Sequence, residues 1–123
     1  MIYAGSSLKV NLLQDGIAEV VFDAQGSVNK FDRQTVTELA EATEALKAKA
    51  DVKGVVVRSA KSTFIVGADI REFEDQTDAK VSADAIRQVH ILFNQIESLP
   101  FPTAAIIEGY CLGGGMELAL ALD

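Results

Sequence analysis

Three consecutive glycines, Gly113, Gly114 and Gly115, separate a short apolar run starting at Thr103 from a second apolar stretch at 116–122. The pattern reads as strand, tight loop and helix start. Glycines remove side chains where backbone must come close to a ligand, and the first N–H groups of a helix have no partner within it, so an anionic oxygen is favoured there. Glu117 falls two residues after the last glycine, in the first helical turn. A carboxylate beside a site that stabilises an oxyanion can move a proton while charge develops on oxygen.

Each feature also has a plainer reading. A glycine cluster before a helix can be a close packing contact, and a carboxylate in a first turn is favoured by the helix dipole alone. The neighbours of Glu117 argue for more: Met116, Leu118, Ala119, Leu120, Ala121 and Leu122 are apolar nearly all round the helix, which predicts burial. A buried carboxylate is costly unless paired or used. Nucleotide loops do not fit. A phosphate loop needs Lys and a hydroxyl directly after its last glycine, where this chain has Met116 and Glu117, and the third glycine of a dinucleotide loop would fall on Leu118.

The elements that must position these groups follow from periodicity. Residues 8–13 and 17–22, joined by Gln14, Asp15 and Gly16, predict a β-hairpin. Residues 23–29 form a loop by composition. Asp32 caps a helix whose face positions Val36, Leu39, Thr43 or Ala42, Leu46 and Ala50 recur at three and four. Residues 54–59 are a β-branched run suited to a buried strand parallel to its predecessor, giving α/β layering. A strand end breaks at Gly67, with Asp69 a possible N-cap for residues 70–74. The acidic stretch 74–82 has no period, and Asp75 and Asp78 lack the pattern of a calcium loop. Ser82 is expected to cap a helix to about Ser98, with Ile86, Val89, Phe93 and Ile96 on one face and His90 at its edge. Pro100 and Pro102 end that helix and deliver a central strand at 103.

The run EGYCLGGGME at 108–117, preceded by FIVGADI at 64–70, resembles the paired signature of the enoyl-CoA hydratase (crotonase) superfamily. The segment VNKF at 28–31 and the opening MIY resemble, within it, the amino-terminal part of the bacterial multifunctional fatty acid oxidation complex alpha subunits. The resemblance covers the whole chain. It implies a crotonase-like spiral of ββα units, of which residues 1–123 are the amino-terminal portion of one domain. It further implies that the backbone N–H groups of Val66 and Gly114 form an oxyanion hole and that Glu117 is an acid/base residue. Asn29, Lys30, Gly67, Ala68, Asp69, Ile70 and Gly113 are expected beside the substrate. A second glutamate lies further along the chain in this superfamily, so the 123 residues alone are expected to be inactive and to be part of a longer protein.

The implied reaction is hydration of trans-2-enoyl-CoA in fatty acid β-oxidation, with double-bond isomerisation available to the same carboxylates. Other CoA-ester chemistries of the fold (hydrolysis, decarboxylation, isomerisation) and a non-catalytic acyl-CoA-binding or assembly module are the alternatives, and Glu117 favours hydration. No metal or redox cofactor is implied, coenzyme A being part of the substrate. The expected partners are acyl-CoA and an oligomer that can include a thiolase beta subunit.

A net charge of −7 and a pI near 4.6 argue against nucleic acid or an anionic membrane as partner. A site for anionic coenzyme A then relies on local cations, for which Lys30, Arg58, Lys61 and Arg71 flank the relevant loops, or on positive charge from chain outside these 123 residues. A hydrophobic content of 49% suffices for a core, no run is long enough for a membrane span, and the start lacks a secretory pattern, so the expected compartment is the cytoplasm. The single cysteine, Cys111, has no internal disulfide partner and reads as an apolar filler.

Overall fold

The computed structural model describes residues 1–30, 32–65, 79–107, 109 and 114–122. Its elements in chain order are β1 (Tyr3–Ala4), β2 (Leu8–Leu12), a 3-10 turn (Gln14–Gly16), β3 (Ile17–Phe22), α1 (Arg33–Ala48), β4 (Gly54–Ser59), α2 (Ala79–Glu97), β5 (Thr103–Ala105) and α3 (Gly114–Ala121). The strands form one sheet in the order β1-β2-β3-β4-β5. The first two pairings are antiparallel, whereas β3–β4 and β4–β5 are parallel, as α/β crossovers through helices require.

Alternation decides which face is covered. Val10 pairs with Val20 and Val20 with Val57, while Leu8 pairs with Phe22 and Ala18 with Val55, so these side chains share one face. That face is buried beneath Leu39, Ala42 and Leu46 of α1, Leu92, Phe93 and Ile96 of α2, and Leu118 of α3. Each such side chain contributes roughly 1.5–3 kcal/mol on burial. The opposite face carries a cross-strand ion pair, Arg58 Nε to Glu19 Oε2 at 2.9 Å.

Asp32 caps α1 as its type and position predict: its carboxylate accepts from the Thr35 N–H at 2.8 Å. The helix ends at Ala48, two residues before Ala50, because Lys49 is extended and its carbonyl accepts from the Val52 N–H. Glu38 is the exception on the buried face. Only 7% exposed, it reaches the β1–β2 turn, where Oε1 accepts from the Ser7 N–H at 2.8 Å and the Leu8 N–H at 3.3 Å, and Oε2 from the Ser6 hydroxyl at 3.0 Å. Burial pushes its carboxyl pKa up, but these bonds and the Gln34 amide outweigh that and hold it below the usual range.

Four further sequence expectations change. Strand β1 is additional, its two residues being too few for a period to show. The second long helix starts at Ala79, so Ser82 lies inside it and does not cap it. Strand β5 stands at the sheet edge among the described residues rather than in the centre. Helix α3 is not buried all round: Leu118 is 1% exposed and Leu120 is 78% exposed.

Candidate active site

The two motif-bearing segments leave the carboxyl ends of neighbouring parallel strands. Chain emerging from β4 at Ser59 runs through Lys61, Ser62 and Thr63 to Phe64 and Ile65, both with no exposed surface. Chain emerging from β5 at Ala105 runs through Ile106, Ile107 and Gly109 to the start of α3 at Gly114. The carboxyl ends of parallel strands are where α/β folds place ligands, since the loops there are free of the sheet's own ladder.

Gly109 brings the two segments together. Its φ is +68°, and a methyl built on it would lie 2.7 Å from the Ser62 carbonyl oxygen and 3.1 Å from Thr63 Cγ2. Only glycine combines that left-handed backbone with so close a crossing. Sequence reasoning assigned Gly109 no separate role; its signal was a lone glycine shortly after an apolar run, with Glu108 between them.

Asn29 ties the same region from below. It is 1% exposed, and its Oδ1 accepts from the Ala24 N–H at 3.0 Å. Its Nδ2 donates to Ser59 Oγ at 2.7 Å, the Phe64 carbonyl at 3.0 Å and the Phe22 carbonyl at 3.3 Å. Both ends of the amide are thus engaged by the protein. Phe22 and Phe64 meet edge to face beside it, with ring centroids 6.4 Å apart. Neighbouring Lys30 is half-buried. Two of the cations considered for coenzyme A are already paired, Arg58 with Glu19 and Lys61 with Asp23 Oδ1 at 3.0 Å.

Gly114 is the first residue of α3 and Glu117 the fourth, so the glycine's N–H is among those no helical carbonyl reaches, and the carboxylate-bearing residue is in the first turn. Val66, Gly67, Ala68, Asp69, Ile70, Arg71, Cys111 and Gly113 lie outside the described residues, as do the expected break at 67 and the stretch from there to 78. Among the described residues no His/Cys/Asp/Glu group could hold a metal ion, and no helix is long and apolar enough to cross a membrane.

Residues 13–123 match the enoyl-CoA hydratase/isomerase family. The chain belongs to that family. It is 47% identical, over its whole length, to the fatty acid oxidation complex subunit alpha of Idiomarina loihiensis, of which it spans 17%. Among solved structures it resembles an enoyl-CoA hydratase/isomerase from Xanthobacter autotrophicus Py2, with a TM-score of 0.89 and 29% identity, over 98% of this chain and 45% of that one. An enoyl-CoA hydratase/carnithine racemase from Magnetospirillum magneticum gives 0.89 and 28%, with the same coverage. The fold of this enoyl-CoA hydratase/isomerase family member is therefore the crotonase-type α/β fold, and the chain spans less than half the length of these solved relatives.

Proposed function

We propose that residues 1–123 are the amino-terminal portion of a hydratase domain in a longer fatty acid oxidation protein, and that this domain adds water to trans-2-enoyl-CoA thioesters. The observation that carries the reading is the start of α3 at Gly114 with Glu117 in its first turn, together with the glycine crossing that joins the two motif segments.

In the proposed reaction, water attacks the β carbon and negative charge moves through the double bond onto the thioester oxygen. The N–H groups of Val66 and Gly114 donate to that oxygen as it becomes an enolate; loss of one such donor typically costs about 3 kcal/mol. Glu117 takes the proton from the attacking water. A second carboxyl group, protonated at the start and supplied by the rest of the protein, gives its proton to the α carbon; the proton held by Glu117 then returns to it through solvent, so that one water is added overall. The same pair of groups can shift a double bond by taking a proton at one carbon and returning it at another. Lys30 is the half-buried cation we assign to the coenzyme A side. The protein acts in the cytoplasm, as an oligomer whose partner is a thiolase beta subunit. No metal or redox cofactor takes part.

The test is loss of enoyl absorbance when the complete protein meets crotonyl-CoA, with the product identified by mass. Appearance of the 3-hydroxyacyl-CoA is expected. Release of free coenzyme A or carbon dioxide without hydration would overturn the assignment in favour of another chemistry of the fold.

A further inference from the structure

We propose that Asn29 is a positioning residue for the acyl-thioester site, acting through the backbone of Phe64; this rests on the oxyanion role proposed above for the N–H of Val66, two residues on. The side chain joins three stretches of chain: the end of β3 with the loop after it, the end of β4, and the segment at Phe64. It receives the Ala24 N–H from the loop after β3 and holds the Phe22 carbonyl at the end of β3. It also holds Ser59 Oγ at the end of β4 and the Phe64 carbonyl on the segment that carries the first motif. Ser59 Oγ in turn accepts from the Lys61 N–H at 2.9 Å, so the turn between Ser59 and Phe64 is fixed at both ends by one connected network. With Phe64 and Ile65 fully buried, a displacement of that carbonyl passes along the chain instead of being absorbed by solvent-exposed slack.

The residue type follows from the geometry. Three acceptors surround Nδ2, sharing its two hydrogens, and one donor faces Oδ1, a polarity that an amide matches and a carboxylate does not. Asp at this position would turn an oxygen toward the carbonyls of Phe22 and Phe64, and Ala would leave both without their donor. In either case the segment entering the first motif loses its reference to β3 and β4. Substrate affinity, which draws on other contacts, is affected less than the polarisation of the thioester carbonyl.

The experiment uses the complete protein with Asn29→Ala, Asn29→Asp and Ser59→Ala, and Leu46→Ala in the buried face of α1 as a control that lowers stability without touching the network. Two readouts are taken on variants shown to be folded by circular dichroism: kcat and KM with crotonyl-CoA, and the carbonyl stretch of bound carbon-13-labelled butyryl-CoA, a saturated thioester that cannot be hydrated. Wild type should move that stretch to lower frequency. Asn29→Ala and Asn29→Asp should lose most of the movement and drop kcat by about 10–100-fold, the effect of a small misplacement of a donor. KM should change by no more than about threefold. Ser59→Ala, which leaves the Phe64 bond in place, should keep more of both. Leu46→Ala should melt earlier yet keep the full movement.

If Asn29→Ala fails to fold, Asn29→Asp, which keeps the side-chain volume and the bond from Ala24, decides on the same readouts. A folded Asn29 variant with an unchanged carbonyl stretch, or a Leu46→Ala that loses as much as the Asn29 variants, overturns the proposal. A wild type that moves the stretch but does not hydrate overturns the hydratase reading and leaves the Asn29 comparison standing on the spectrum. A wild type with no movement overturns both.

Discussion

Replacing Gly109 by alanine adds one methyl group at the point where the two motif segments cross. Two separate costs follow. The backbone is held at φ +68°, where an L residue is disfavoured by roughly 1–2 kcal/mol. The methyl would also lie 2.7 Å from the Ser62 carbonyl oxygen, closer than real contacts of that kind, and because the obstacle is backbone the Ser62–Thr63 turn must shift. Overpacking of this sort adds about 1–3 kcal/mol. Gly26 separates the two terms: its φ is +96°, but a methyl there meets no atom within 4 Å, so Gly26→Ala incurs backbone strain alone. The assay is the urea midpoint for loss of hydratase activity in the complete protein, read beside kcat at low urea. Gly109→Ala should lower the midpoint by roughly twice as much as Gly26→Ala, and its kcat should fall by about 10–100-fold because the displaced turn leads directly into the first motif. Equal midpoint shifts for the two variants, with wild-type kcat for Gly109→Ala, would refute the claim that this crossing positions the site.

Two further outcomes are expected. Glu38→Gln should speed amide exchange in the β1–β2 turn by about 10–100-fold, since charge-assisted bonds of the kind it makes to Ser7 and Leu8 are worth roughly 1.5–3 kcal/mol. Because its folded pKa is lowered, the stability it supplies is present above the unfolded value near ~4.3 and is lost as pH falls through the folded value. The gap between wild type and variant, as protection factors by mass spectrometry, should therefore close on acidification; a gap independent of pH would refute it. Gly114→Pro, which removes the N–H at the start of α3, should abolish turnover, while Gly114→Ala should reduce it less. A folded proline variant, checked by circular dichroism, with near-normal rate would rule this loop out as the oxyanion donor.

The parts of the fold that periodicity controls were legible. The hairpin from Leu8 to Phe22, the Asp32 cap, the parallel strand Gly54–Ser59 and the apolar face of α2 at Phe93 and Ile96 all rest on local alternation or on a side chain reaching its own helix. What was illegible depends on long-range contact. Nothing local distinguishes Glu38 from the exposed Glu41 and Glu44; only the approach of the β1–β2 turn makes it a buried clasp. Resemblance places Asn29 beside the substrate, but its bonds to Ser59 and Phe64, 30 and 35 residues away, have no local signal. Ser82 misled because a good capping residue can also sit inside a helix when the preceding chain continues it. The glycine cluster and Glu117 carry spacing that predicts a helix starting after the loop, and α3 does start at Gly114.

The central claim turns on Glu117, and Glu117→Gln tests it most directly, since Gln keeps the size and much of the hydrogen bonding of the carboxylate but cannot take a proton. In the complete protein the variant should bind crotonyl-CoA within a few-fold of wild type, melt at a similar temperature and hydrate at least ~100-fold more slowly, the lower end expected for general acid–base catalysis. Hydration at near wild-type speed would contradict the account and leave Glu117 as a carboxylate favoured by the helix dipole.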